Sequence, residues 1–163
     1  MSKYALFSST AIIAAVLDQL TKIYIRSTMP LYTSIEVVDS FFNLTHVANP
    51  GGAFSLFADG HPVLRRLFFV GASTAALFFL LYMIRQVHES QRLLTLALGA
   101  ILGGAVGNLI DRVWFGAVTD FLDFYWNDHH WPAFNIADSC ISVGIAVLMA
   151  FSLFGKDPSA QTG

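Results

Sequence analysis

Residues 67–84 read LFFVGASTAALFFLLYMI, eighteen residues without a charge, entered through Arg65 and Arg66. A run of that length is what an α-helix needs to cross about 30 Å of hydrocarbon at 1.5 Å per residue. Three further segments share this character, so the predicted spans are 4–25, 64–84, 93–110 and 136–154. The whole chain agrees with them: of 163 residues 55% are hydrophobic and 12% charged, with a mean hydropathy of +0.61. Soluble domains carry about twice that share of charge. The expected fold is an all-α membrane protein, a four-transmembrane-helix bundle forming a single domain over residues 1–163.

Charge and cysteine content narrow the function classes. A formal net charge of −2 over nine basic and eleven acidic residues leaves no basic stripe, so nucleic acid is not an expected partner. The single cysteine, Cys140, lies in an apolar run and reads as a packing residue. The first span follows Lys3 and contains small residues at Ala11, Ala14 and Ala15, as a signal peptide would. It continues into Asp18-Gln19-Leu20-Thr21-Lys22 without a cleavage site, so an uncleaved helix is expected.

Gly99, Gly103 and Gly107 recur every four residues and let a neighbouring helix approach closely; Gly103, Gly104 and Gly107 read as packing positions rather than ligand contacts. The connection from Ser27 to Val63 contains an alternating β-prone stretch, Ile35 to Val47, which predicts a small sheet at the membrane surface. It ends in the turn signal Asn49-Pro50-Gly51-Gly52, followed by AFSLF at 53–57, a candidate short interfacial helix. The connection from Asp111 to Asn135 carries Trp114, Tyr125, Trp126 and Trp131, suited to the interface.

Ionisable residues at the ends of membrane helices are costly unless paired or wet, which marks Asp18, Lys22, Asp111, Arg112, Asp120, Asp123 and Asp138 as functional candidates. Helices one and three end, and helix four begins, at the same membrane face, so these residues share it. Two neighbouring carboxylates share one proton and can activate water against an amide. Asp120 and Asp138 offer such a pair, but spacing does not select them over Asp111 or Asp123. The alternative is that the acids face water or pair with Arg112 and Lys22. Asp18 and Lys22, at i and i+4, can pair across one turn in a supporting role. Asp128-His129-His130 could supply Zn²⁺ ligands, but adjacent histidines on a regular element seldom face one centre, and no metal site is expected.

The ordered blocks Asp18–Lys22, Asn49-Pro50-Gly51-Gly52-Ala53-Phe54, Gly103 to Arg112, Val118-Thr119-Asp120-Phe121 and Phe134-Asn135-Ile136-Ala137-Asp138 together resemble the lipoprotein signal peptidase family, also called signal peptidase II. The resemblance implies an intramembrane aspartyl endopeptidase that cleaves a prolipoprotein just before its diacylglyceryl cysteine, without metal or other cofactor. It implies Asp120 and Asp138 as the catalytic pair, whose apparent pKa values belong to the pair. Asn49, Asn108, Arg112 and Asn135 are implied to support the site or bind substrate, and Ala137 to pack beside it. It further implies a bacterial cytoplasmic (inner) membrane location with both termini cytoplasmic, the sheet and active site at the extracytoplasmic face, membrane lipids as surroundings and a monomer. Counting Lys and Arg does not decide the orientation. The competing class is a small transporter or channel subunit with intramembrane carboxylates; neither an inverted repeat nor a discontinuous helix is evident. The block match is uneven at His46, Ala48 and Gly52, where the family more often has other residues.

Overall fold

The structure is a computed structural model, and it describes residues 1–51 and 61–154. Among the described residues, four long helices and four strands follow one another: α1 Lys3–Thr28, β1 Ser34–Val38, β2 Phe42–Asn49, α2 Pro62–Gln86, α3 Arg92–Trp114, β3 Val118–Trp126, β4 His129–His130 and α4 Ile136–Phe154. All four helices are long and apolar enough to cross a membrane. The shortest, α4, has 19 residues and spans about 28 Å. Their outer faces carry Ile12, Phe78, Phe79, Val143 and Leu153, each more than half exposed. Such a belt suits lipid, where exposed apolar surface costs nothing.

Helix α3 is the centre of the bundle, touching α1, α2 and α4. Lipid gives apolar side chains no incentive to leave it, so helices associate by close fit. Gly99 and Gly103 lie against α1, where added Cβ atoms would fall 2.7 Å from the Phe7 carbonyl oxygen and 2.6 Å from the Ala14 Cβ. A Cβ on Gly107 would overlap the Asp18 carboxylate. Gly104 faces the other way, where a Cβ would stand 2.5 Å from the carbonyl oxygen of the fully buried Ala137 on α4. At the opposite end, Phe7, Leu80, Ile84, Val87, Leu98 and Ile101 form an apolar cluster. There the Lys3 ammonium donates to the Arg85 and Val87 carbonyls, capping the end of α2.

The antiparallel sheet has the order β1-β2-β3-β4. The sequence reading placed strands in the first connection alone. The second connection supplies β3 and β4, and burial of the first half of β3 on both faces explains why. Val118 and Phe121 are buried, Phe121 packing with Ile25 and Met29 at the end of α1. Val47 pairs with Asp120 and Asn49 with Val118, after an irregularity between Leu44 and Val47. The spans also run further than the hydrophobic runs. Helix α1 continues three residues past Ile25 and α3 four past Ile110, so Asp111 and Arg112 are helical, not loop residues. The expected helix at 53–57 lies outside the described residues.

Replacing Gly107 with alanine should cost about 1–3 kcal/mol by overpacking against Asp18. A methyl group added at Gly71 would meet nothing within 4 Å, which makes that position the matched control. Thermal unfolding in detergent should fall for Gly107→Ala and hold for Gly71→Ala; equal melting temperatures would contradict the packing described.

Candidate active site

The site grows from a lysine with no exposed surface. Lys22 lies on α1, and its ammonium has three N–H donors and no acceptor. Asp18 Oδ2 stands at 2.8 Å, Asp111 Oδ2 at 3.2 Å and Asn108 Oδ1 at 2.9 Å. Every donor therefore has an acceptor, the condition on which a buried charge is tolerated. The remaining oxygens are also used. Asp18 Oδ1 accepts from the Ala137 backbone N–H at 2.9 Å, tying α1 to the start of α4. Asp111 Oδ2 accepts from the Thr119 N–H at 3.0 Å, and Oδ1 from Arg26 at 3.2 Å and Gln19 at 3.3 Å.

Three asparagines carry this order to the two acids. Lys22 can only donate, so Asn108 must turn its oxygen to the ammonium and its Nδ2 to Asp138 Oδ1, at 2.7 Å. Asn135 is the residue before α4, where its Oδ1 accepts from the Asp138 N–H at 2.9 Å as an N-cap. Its Nδ2 then faces Asp120 Oδ1 at 2.7 Å. Asn49 Oδ1 accepts from the Gly51 N–H at 3.1 Å, leaving Nδ2 for Asp120 Oδ2 at 3.0 Å. Each amide has a donor behind it, and each thereby presents an N–H to a carboxylate.

Asp120 and Asp138 both line a cleft of about 590 Å³, with Asn49, Arg112, Phe134 and Ile141. Asp18, Asp111 and Asp123 do not. Asp111 is held by Lys22 and Arg26, and Asp123 by Asn43 at 3.0 Å and His130 at 2.8 Å. Of the acids near this membrane face that the sequence offered, Asp120 and Asp138 are the two that line the cleft. The Asp120 carboxyl is pushed up to about 7, chiefly by burial. The Asn49 hydrogen bond opposes that rise and the neighbouring Asp138 charge reinforces it, while Asn135 and Lys22 oppose it more weakly. Arg112 donates to the Asn108 carbonyl at 3.3 Å and rests over the Phe69 ring at 5.3 Å, its cation at the cleft wall.

The family profile described as "Signal peptidase (SPase) II" matches residues 10–154. The chain belongs to the signal peptidase II family. The lipoprotein signal peptidase of Desulforapulum autotrophicum is 49% identical over 92% of this chain and 91% of its own length. That of Geobacter sulfurreducens is 48% identical over 89% of each. A bacterial membrane enzyme solved by the in meso method at 2.3 Å superposes with a TM-score of 0.79 and 29% identity, covering 94% of this chain and 90% of that one. A second, at 1.9 Å, has the same TM-score at 32% identity, covering 90% and 92%. This signal peptidase II chain is thus a multi-pass bacterial membrane peptidase by family.

Gln19, Arg26 and Thr119 belong to the network but were not singled out from sequence. Arg26 had a signal, since 18, 22 and 26 share one helical face; Gln19 and Thr119 lie within the family blocks, but their contacts with Asp111 had no sequence signal. Lys22→Met should leave two buried carboxylates facing one another and cost about 3–5 kcal/mol. The check is thermal unfolding in detergent, where a parent-like melting temperature would show that the ammonium does not hold the bundle end together.

Proposed function

We propose that the chain is an intramembrane aspartyl endopeptidase that removes the signal peptide of a diacylglyceryl-modified prolipoprotein, cutting just before the lipidated cysteine. The observation that supports it most is that Asp120 and Asp138 line the same cleft, each carboxylate oriented by asparagine amide donation. Asp138 sits in the first turn of α4, where the helix dipole favours negative charge. Asp120 sits deeper on β3, where burial favours the protonated form. In this reading Asp138 takes a proton from water as the water attacks the scissile carbonyl carbon. Asp120 donates its proton to the carbonyl oxygen; the C–N bond of the tetrahedral intermediate then breaks as Asp138 passes its proton to the leaving amine and Asp120 takes back the one it gave.

The apolar stretch of the cleft beside the dyad, with Phe134, Ile141 and Val143, suits a signal peptide and acyl chains arriving by lateral diffusion. Arg112 can hold a carbonyl or an ester oxygen in its planar fork. The proposed placement puts both termini in the cytoplasm and the sheet and dyad at the extracytoplasmic face. The reading requires no metal or other cofactor, and one chain supplies the whole dyad. A transporter or channel would need its acids distributed along a span. Among the described residues, Asp18, Asp111, Asp120 and Asp138 instead gather at the sheet end of the bundle.

Cleavage of a diacylglyceryl-modified prolipoprotein by the purified protein tests the assignment. Asp120→Asn and Asp138→Asn should each reduce kcat by about 10³-fold or more while the protein stays folded, because neither half of an acid–base pair works alone. Full activity in either variant would rule out the dyad.

The pH dependence has a definite sign. Folded Asp120 keeps its proton up to about 7, whereas an unfolded aspartate releases it near pH ~4. Stability should therefore decline as pH rises through that window and level off above it. Cleavage needs the protonated form and should fall on the alkaline side of about 7. Asp120→Asn should abolish the decline in stability; an unchanged melting profile would place the titration elsewhere.

A further inference from the structure

Arg26 lies one helical turn beyond Lys22, outside all five of the blocks that carry the family resemblance. Its NH1 group reaches two acceptors at once, Asp111 Oδ1 at 3.2 Å and Thr119 Oγ1 at 3.0 Å. The guanidinium carbon stands 4.4 Å from the centre of the Phe115 ring, which fixes its plane. Thr119 immediately precedes Asp120, and side chains alternate along a strand, so the two point to opposite faces of β3. Thr119 is gripped three ways: its hydroxyl by Arg26, its N–H by Asp111 and its carbonyl by Asn135 at 3.3 Å.

We propose that Arg26 is a positioning residue for the Asp120 carboxyl, acting through Thr119 and Asp111 to set the rotation of β3 about its own axis. The proposal rests on the reading of Asp120 as half of the dyad. A strand held by backbone bonds alone can roll by some degrees, and a carboxylate at the tip of a side chain amplifies the roll. The clasp on the opposite face resists it. Arg26 also balances charge: Asp18 and Asp111 face Lys22 alone without it, and the second cation brings the four groups to neutrality. A lysine would supply the charge but not the planar guanidinium that lies over the Phe115 ring.

The test is steady-state cleavage of a diacylglyceryl-modified prolipoprotein by the full chain in detergent. Arg26→Met, Arg26→Lys, Thr119→Val and the double variant Arg26→Met with Thr119→Val are compared with the parent and Asp120→Asn. Arg26→Met should lower kcat about tenfold or more with KM within about twofold, as expected when a reacting group is misplaced and binding is intact. A rolled strand weakens the Asn49 and Asn135 hydrogen bonds that hold the Asp120 pKa down, so the alkaline limb should move to higher pH. Arg26→Lys should recover part of kcat, and the double variant should be no slower than Arg26→Met by more than about twofold, because both act through one contact.

Parent-like kcat and an unmoved limb in Arg26→Met would overturn the inference. So would equal losses in Arg26→Met and Arg26→Lys accompanied by a lower melting temperature and an unmoved limb, the result of a purely structural role. If Arg26→Met does not fold, Thr119→Val decides alone: reduced kcat at parent KM and melting temperature supports the clasp, and parent kcat overturns it. Activity in Asp120→Asn would sink the dyad itself, whatever the Arg26 series shows.

Discussion

The ammonium of Lys22 is the point on which the arrangement depends. A bare cation in a membrane bundle is prohibitively costly, so its three donors must all be met, and the groups that meet them come from α1 and α3. Each of those groups has a second obligation. Asp18 holds the first turn of α4, Asp111 holds the start of β3, and Asn108 reaches Asp138. The lysine thus sets the relative positions of the two elements that carry Asp120 and Asp138.

Close helix packing and this buried charge require each other. Asp18 can enter the α1–α3 seam because Gly107 has no side chain there, and Gly103 allows the backbones to come near enough for Lys22 to span the gap. Conversely, the ion pair gives the seam a direction and a depth, which small residues alone do not. Packing without a hydrophobic driving force depends on fit, and fit is satisfied in several registers unless a polar contact selects one.

The two acids occupy the boundary between bundle and sheet, where regular elements with different backbones meet. Asp120 is on a strand and Asp138 in the first turn of a helix, both rigid supports. The segment 131–135 joins them, pinned to β3 by hydrogen bonds between Phe134 and Leu122. Asn135 closes the circuit by capping α4 and bonding Asp120 with the same side chain. The depth of Asp120 raises its pKa, while the amides around it prevent an uncompensated carboxylate when the proton leaves.

Much of this was legible in the amino-acid order. Four apolar runs, a four-residue glycine repeat and the i, i+4 pair Asp18 and Lys22 each follow from a local period, and local periods survive without knowledge of the fold. The blocks around Asp120 and Asp138 pointed to the family for the same reason. The strand containing Asp120 was not legible: Val118–Trp126 reads as an aromatic surface loop until β2 and the end of α1 are beside it. Nor did spacing, without the resemblance, tell Asp120 and Asp138 from Asp111 and Asp123. All four are acids near one membrane face, and what separates them is that Asp120 and Asp138 line the cleft, whereas Asp111 is closed off by Lys22 and Arg26 and Asp123 by Asn43 and His130. Pairing across 80 or 90 residues is settled only in three dimensions, where the helix crossing fixes which side chains can touch.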